Sequence, residues 1–197
     1  MSTFFTADLH FGHANIIRYC GRPFADADEM DAEIIKRCNK VVTPNDTLYI
    51  LGDLGFLSVD EQIKRISQMN GKKHLIWGNH DAKGYQDRQK LVDACFVRAD
   101  DLRRIKANYR GADGYMRAAR IVLCHYAMRV WDGSFHGSWH LYGHSHGTLP
   151  DNPYSLSFDV GVDCWDFYPV SISEVAETMA KKSWTPPKDR KEGHPND

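Results

Sequence analysis

The sequence contains no long hydrophobic run. No apolar segment approaches the roughly 18 residues that a membrane-spanning helix requires. Residues 1–6 also lack a basic region followed by an apolar stretch, which is the pattern of a secretory signal peptide. These two absences predict a cytoplasmic protein that does not associate with a membrane.

The cysteines are few, odd in number and never arranged as a CxxC pair. Their scatter along the chain argues against a disulfide framework, and the lack of a CxxC pair argues against a thiolate zinc site. A reducing cytoplasm fits this usage best. The five are Cys20, Cys38, Cys95, Cys124 and Cys164.

The chain also has no large excess of charge of either sign. It carries 25 Lys and Arg against 26 Asp and Glu, for a formal net charge of −1. The overall positive field that drives non-specific nucleic-acid binding is therefore missing. Basic residues do outnumber acidic ones between Arg98 and Arg120. A solvated hairpin surface is the favoured interpretation of this stretch, and a local binding patch is the alternative.

What the sequence does contain is the composition of a single folded domain. Its 197 residues are 42% hydrophobic and 26% charged, with no internal repeat and no break in composition. Short apolar runs rich in β-branched and aromatic residues predict strands. These runs lie at residues 3–7, 47–51, 74–77, 121–124, 139–142 and 156–162.

Helical patterns lie between the early strands. One begins at Asp26, with Glu29 three residues later, and the next begins at Ser58, with Glu61 three residues later. Both pairs match the capping pattern of a helix N-terminus. Strands that alternate with helices predict parallel βαβ units and an α/β fold.

The second half of the chain has a different pattern. Its strands have no helices between them and are predicted to pair antiparallel, with a hairpin turn at residues 111–114. A last helix begins at Ser171 and runs to about Lys182. We therefore expect one domain over residues 1–182 and a disordered tail over residues 183–197.

Five polar motifs follow predicted strands, at the ends where α/β sheets place their ligand sites. Each motif alone is more typical of a turn or a helix cap than of a site. Five such motifs in one order are hard to explain as unrelated turns. They are Asp8-Leu9-His10, Gly52-Asp53, Gly78-Asn79-His80-Asp81, His125 and Gly143-His144-Ser145-His146.

The side chains in these motifs are metal ligands of one chemical kind. Imidazole, carboxylate and amide groups without thiolate suit Mn, Fe, Zn, Co or Ni better than copper(I) or an iron–sulfur cluster. The histidines disfavour a magnesium or calcium site built only from oxygen ligands. In Asp-x-His and His-x-His, both side chains lie on the same side of an extended segment and can enter one cleft.

The ordered set from Asp8 to His146 resembles the signature of the calcineurin-like metallophosphoesterases. The resemblance implies an α/β fold of two facing mixed β-sheets flanked by helices, as a four-layer sandwich. It also implies that His80 lies beside the leaving group and that Asp81 orients it. The implied ligands are Asp8, His10 and His146 for a first metal, Asn79, His125 and His144 for a second, and Asp53 as the bridge between them.

Such a pair of divalent cations activates a bridging water for in-line attack on phosphorus. We expect Mn²⁺, with Fe, Zn, Co or Ni as alternatives. The predicted activity is phosphoester hydrolysis, with a phosphodiester, a nucleotide or a nucleic-acid end as substrate. The alternatives are a phosphomonoesterase and a catalytically silent interaction scaffold of the same fold. A structural zinc site needs a closed tetrahedral shell and does not explain seven ligands.

Residues 13–24 resemble those of small bacterial and phage-encoded members of that family. We expect substrate contacts from His13 and Arg22 in this first loop and from Arg129 in a later one, although Arg129 also fits a surface ion pair with Asp132. Trp131 and Trp139 fit either base stacking or the core. Asn15, Arg18 and His136 are further candidates.

Overall fold

A computed structural model describes residues 1–186, and within them lie nine β-strands and five α-helices. The strands are β1 (Thr3–Thr6), β2 (Thr47–Ile50), β3 (Lys72–Ile76), β4 (Arg98–Asp100), β5 (Leu102–Arg110), β6 (Met116–Cys124), β7 (Trp139–Tyr142), β8 (Ser157–Asp159) and β9 (Val170–Ser171). The helices are α1 (Ala14–Cys20), α2 (Ala27–Val41), α3 (Val59–Ile66), α4 (Tyr85–Cys95) and α5 (Ile172–Ala180).

The first sheet has the strand order β4-β3-β2-β1-β9. Strands β1 to β4 are parallel and are connected through helices, as the alternating pattern predicts, and β9 pairs antiparallel with β1. Because neighbouring parallel strands end at the same edge, the segments after β1, β2 and β3 lie side by side. This edge carries the first three polar motifs.

Three of the helices begin where the capping patterns predict. The side chains of Asp26 and Ser58 accept hydrogen bonds from the backbone N–H groups of Glu29 and Glu61, at 2.8 and 3.4 Å. Ser171 and Glu174 form a full reciprocal capping box at the start of α5. Each cap contributes about 1 kcal/mol to the stability of the helix end.

The second sheet has the order β5-β6-β7-β8, and its strand directions correct part of the sequence-based prediction. Strands β5 and β6 form the expected antiparallel hairpin, but β6 pairs parallel with β7 and β7 pairs parallel with β8. The connections over residues 125–138 and 143–156 each exceed the dozen or so residues that a parallel crossover needs. As a result, the motifs after β6 and β7 lie at one edge of this sheet.

The core follows the alternation of side chains along the strands of the first sheet. Phe5 and Leu51 belong to one buried cluster, which includes Ile121 and Leu141 of the second sheet. Phe4 belongs to another, together with side chains of α1, α2, α3 and α4. The predicted architecture of two mixed sheets with flanking helices is therefore confirmed.

Helices α1 and α4 and strand β4 have no counterpart in the sequence-based prediction. Helix α1 buries only Ile16 and α4 buries only Leu91, so neither has a strong apolar periodicity. Among the helices of residues 1–186, none is long and apolar enough to cross a membrane.

The segment after α5 still contacts the domain, although the tail was expected to begin at Ser183. The backbone N–H of Ser183 donates to the carbonyl of Pro153 at 2.7 Å. The half-buried side chain of Trp184 packs against the cluster between the sheets. Ser183 and Trp184 therefore pack against the domain, and the boundary after Lys182 stays a prediction. The expectation of disorder over residues 187–197 lies outside the described residues.

Candidate metal centre

Two groups of histidine and aspartate side chains meet where the two sheets end side by side. In the first group, ligand atoms of Asp8, His10 and His146 all lie within 4.8 Å of one another. In the second, ligand atoms of Asp53, His125 and His144 do the same. Each group could hold one metal ion. The first group contains the three residues that the resemblance implies for one metal, and the second contains two of those implied for the other, His125 and His144, together with the implied bridge Asp53.

Asp53 joins the two groups. Its Oδ2 atom lies 3.6 Å from Nε2 of His10 and 3.6 Å from Nε2 of His125. The amide oxygen of Asn79 lies 3.0 Å from Nε2 of His125, at the second group. The structure thus brings together all seven side chains that the sequence singles out, and their role as ligands stays a prediction.

The backbone at these residues has an unusual conformation. Asp8, His10, Asp53, His144 and His146 have φ angles of 58°, 53°, 56°, 69° and 47°. Positive φ is uncommon outside glycine, and Asp and His are among the side chains that tolerate it best. It costs on the order of 1–3 kcal/mol per residue and is concentrated at functional sites. Left-handed turns directly after the strands thus point towards a functional role for these side chains.

Two glycines of the motifs provide space for the carboxylates. A Cβ atom on Gly78 would lie 2.3 Å from Oδ1 of Asp53, and one on Gly143 would lie 2.7 Å from Oδ2 of Asp8. Any side chain at these two positions would therefore displace a candidate ligand. This explains why glycine begins both the Gly-Asn-His-Asp and the Gly-His-Ser-His motifs.

The environment of His10 also fits a metal site. His10 is only 2% exposed, and among the described residues neither of its ring nitrogens has a hydrogen-bond partner. Burial, and then electrostatic repulsion from the neighbouring His146 and Arg22 side chains, lowers the pKa of His10 to about 2. The imidazole is therefore neutral, as a metal ligand must be. A buried nitrogen without a partner is costly, and coordination would satisfy it.

Burial shifts the pKa of the Asp8 carboxyl in the opposite direction to that of His10, and this environment also fits a bound cation. Burial, followed by the charges of Asp159 and Asp53, raises the pKa of Asp8 well above its usual value. The site thus concentrates negative charge away from water. A bound cation would reverse this penalty and favour the ionised carboxylate.

Asp163 is a supporting residue that sequence reasoning missed. Its Oδ2 atom lies 2.7 Å from Nδ1 of His146, which leaves Nε2 of that ring available to bind a metal. His125 is held in the same way, with Nδ1 2.7 Å from the carbonyl oxygen of Leu51. Such partners fix the tautomer and the orientation of a ligating imidazole. The available signal was an aspartate just beyond the apolar run 156–162.

Asp159 supports the Gly-His-Ser-His loop and was also missed. Its Oδ2 atom accepts hydrogen bonds from the hydroxyl of Ser145 at 2.6 Å and from the backbone N–H of Gly147 at 3.2 Å. These bonds bracket His146. They fix the backbone on either side of this candidate ligand.

Arg22 was expected to contact substrate, and this prediction is wrong. The side chain is buried, and its guanidinium donates to the backbone carbonyls of Asp8 and Leu9 at 2.8 and 3.1 Å. It also donates to both carboxylate oxygens of Asp163 at 2.7 and 2.8 Å. Arg22 is therefore a positioning residue that ties the first ligand turn to the carboxylate behind His146.

We expect Arg22→Gln to lower the free energy of unfolding by about 3–5 kcal/mol, because it leaves the Asp163 carboxylate buried without its cation. Urea denaturation at neutral pH measures this loss. The exposed Arg18→Gln on α1 is the matched control and should change the free energy by less than about 0.5 kcal/mol. Equal small effects of both substitutions would contradict the assigned role of Arg22.

Asp81 was expected to orient His80, and the structure corrects this role. The Asp81 carboxylate is buried and accepts hydrogen bonds from the backbone N–H groups of Gly78, Asp53 and Leu54, at 2.7, 3.2 and 2.8 Å. Asp81 therefore holds the turn that carries Asp53 against the turn that carries Asn79. It is a positioning residue for the bridge.

His80 lies at the surface beside the candidate metal centre. Its imidazole is exposed, with its centre 5.8 Å from that of His10 and 4.8 Å from that of Phe56. Its backbone N–H donates to Oδ1 of Asp53 at 2.9 Å. The ring is thus close to the candidate metal-binding side chains and accessible to a molecule that binds from solvent.

Of the other candidate substrate residues, His13 lies beside the site, whereas the two tryptophans lie in the core. His13 is half-buried beside the site, with its ring centre 5.5 Å from that of His10 and 4.0 Å from that of Phe56. Trp131 and Trp139 are buried in the core at 8% exposure each, so neither can stack a base. Arg129 is exposed, and Asp132 pairs with Arg104 instead of Arg129.

Comparison with known proteins identifies relatives over most of the chain, although no family model matches. The uncharacterized protein MJ1445 of Methanocaldococcus jannaschii is 33% identical, covering 89% of this chain and 89% of that protein. The gene 66 protein of Mycobacterium phage L5 is also 33% identical, covering 83% of this chain and 87% of that protein.

Among solved structures, the protein of unknown function AQ665 from Aquifex aeolicus has the same fold. The TM-score is 0.60 at 22% identity, covering 90% of this chain and 98% of that chain. A novel archaeal phosphodiesterase has a TM-score of 0.48 at 17% identity, covering 82% of this chain and 84% of that chain, a likeness too low to support a functional argument. On the strength of the two sequence relatives, this chain belongs to the family that contains protein MJ1445 of M. jannaschii and the gene 66 protein of phage L5.

Proposed function

We propose that this chain is a phosphoester hydrolase with two divalent metal ions, of the calcineurin-like metallophosphoesterase type. The observation that carries the proposal is a pair of three-residue groups joined by one buried carboxylate: Asp53 belongs to the second group and lies 3.6 Å from His10 of the first. Two adjacent metal positions with a common carboxylate are the arrangement used to hydrolyse phosphoesters.

Each proposed metal has its own set of ligands from this chain. Asp8, His10 and His146 would hold one ion, with His146 supported from behind by Asp163. Asn79, His125 and His144 would hold the other. Asp53 would contact both. Mn²⁺ is the proposed metal, because mixed imidazole, carboxylate and amide ligands favour it over Mg²⁺.

The charge of such a site suits an anionic substrate. Two divalent ions contribute +4, Asp8 and Asp53 contribute −2, and neutral histidine and asparagine ligands add nothing. The remaining positive charge attracts a phosphate group, either a diester or a monoester. When bound, the ions also supply a water of lowered pKa and stabilise charge on the phosphoryl oxygens.

The protein's own side chains would complete the reaction. The His80 imidazole, exposed beside His10, would donate a proton to the departing oxygen. Asp81 would keep Asp53 and Asn79 in register through its three backbone contacts. Arg22 and Asp163 would fix the first ligand turn.

A catalytically silent scaffold of the same fold is the competing function. It has no use for a buried His10 whose two ring nitrogens lack partners within residues 1–186, or for five candidate ligand residues in left-handed backbone. Both features reduce stability, and such costs persist where function requires them. These observations favour the hydrolase.

Removal of metal tests the proposed function. We expect that dialysis against a chelator abolishes hydrolysis of bis-p-nitrophenyl phosphate and p-nitrophenyl phosphate, and that Mn²⁺ restores it better than Mg²⁺. Metal at 100 times its Kd should also stabilise the fold by about 2.7 kcal/mol, seen as a rise in Tm.

Full activity of the chelated protein, with metal analysis showing none bound, would refute the two-metal proposal. A scaffold would instead show no hydrolysis of either ester at any metal concentration. Comparing the two esters also separates diesterase from monoesterase activity.

A further inference from the structure

An open groove of about 420 Å³ lies beside the second metal group. Its walls include His144 itself, Tyr126 and Leu149. Tyr126 and Leu149 are 46% and 47% exposed, although both are large apolar side chains. Two such side chains open to solvent next to a candidate catalytic centre are a ready contact surface for the organic part of a substrate.

The chain itself keeps this groove close to the metal ligands. Tyr126 directly follows His125, and Thr148 and Leu149 lie just beyond His146. The ring of Tyr126 makes edge-to-face contacts with His125 and His144, at centroid distances of 5.0 and 4.8 Å. The tyrosine is thus held in place before any ligand binds, which reduces the entropic cost of binding.

The chemistry of the groove suits a flat, uncharged group with a polar edge. Among the described residues that line it, none is Asp, Glu, Lys or Arg. The hydroxyl of Ser145 donates to Asp159 at 2.6 Å and that of Thr148 donates to the carbonyl of Ser145 at 2.7 Å. Both hydroxyl oxygens therefore keep lone pairs that accept from N–H groups of a ligand.

We propose that this groove binds the base of a nucleoside phosphoester, stacked on Tyr126, while the phosphate lies at the metal centre. The inference rests on the proposed function and adds the substrate class to it. A lipid chain would offer no donor to the lone pairs of the two hydroxyl groups, and a sugar would not use the exposed aromatic and aliphatic side chains as fully. A nucleobase uses both.

A matched pair of substrates tests the proposal. The p-nitrophenyl ester of thymidine 5′-monophosphate and methyl p-nitrophenyl phosphate share one leaving group and differ only in the other substituent. The measured quantity is the ratio of kcat/KM for the nucleoside ester to kcat/KM for the methyl ester. A disturbance of the metals changes both rates alike and cancels in this ratio.

We expect Tyr126→Ala to lower the ratio by about 5- to 150-fold, which is the range for loss of one stacked base. Tyr126→Phe keeps an aromatic face and should keep the ratio. Tyr115→Ala, at an exposed tyrosine in the turn between β5 and β6, is the control and should leave the ratio and both rates unchanged. An unchanged ratio in Tyr126→Ala would overturn the proposal.

A second measurement reads the groove without hydrolysis. In saturation-transfer NMR with adenosine, in Mg²⁺ buffer, the adenine protons should receive more saturation from the wild-type protein than the ribose protons do, and Tyr126→Ala should abolish the difference. If neither ester is hydrolysed, the proposed function fails, and this NMR result still decides whether the groove binds a base. Equal saturation of base and ribose in the wild type would refute the groove assignment.

Discussion

Replacing Asp53 with Asn is expected to abolish hydrolysis and to remove metal from at least one of the two proposed positions. Asp53 is 1% exposed, and its carboxylate lies 3.6 Å from imidazole nitrogens of both groups. Its charge would therefore be shared by both proposed metals. Loss of a partner behind a ligand typically costs about 10- to 100-fold in affinity or activity, and loss of a bridging ligand should cost more.

The variant is chosen so that the fold survives. Asparagine keeps an oxygen that can accept the backbone N–H of His80, as Oδ1 of Asp53 does at 2.9 Å. Asp60→Asn, at an exposed aspartate in α3, is the matched control and should retain full activity and metal content. Two metals per chain and unchanged turnover in Asp53→Asn would show that Asp53 is not the bridge.

The second large effect is expected for His80→Ala, and it depends on the leaving group. General acid catalysis contributes about 10²- to 10⁴-fold, and more as the leaving group becomes more basic. An alkoxide needs a proton to depart, whereas p-nitrophenolate does not. His80→Ala should therefore slow hydrolysis of an ester whose leaving group is an alkoxide, such as a nucleoside or an alkyl alcohol, by about 10²- to 10⁴-fold. It should slow an ester whose leaving group is p-nitrophenolate far less.

Metal stoichiometry and a control in the same loop complete this test. Lys83→Ala, at an exposed lysine three residues on, should change neither rate. Equal losses on both esters would argue that His80 binds phosphate instead of donating a proton. Loss of a metal would identify His80 as a ligand.

The parts of the fold that the sequence predicts are those encoded locally. Helix starts at Asp26, Ser58 and Ser171 depend on contacts three residues apart, and all three are confirmed. The direction of β7 and β8 depends on the path of long connections, which no periodicity records. The antiparallel prediction therefore failed at these two strands.

The candidate centre shows the same division. The seven candidate ligands could be identified because each follows a strand in a short motif, and the structure brings them together. Arg22 was misassigned because its partner, Asp163, is 141 residues away in sequence. Asp81 was misassigned because a carboxylate next to His80 in sequence turns away to backbone N–H groups of another segment. Burial and long-range pairing are tertiary properties that a motif does not contain.

The same separation between Arg22 and Asp163 affects how the protein is made on the ribosome. A chain that emerges at about 5–20 residues per second needs roughly 7 to 28 s to pass from one of these residues to the other. During that time the turn after β1 lacks the carboxylate behind His146, and β1 lacks its neighbour β9. The first proposed metal position would therefore be complete only after the second half of the chain has been synthesised.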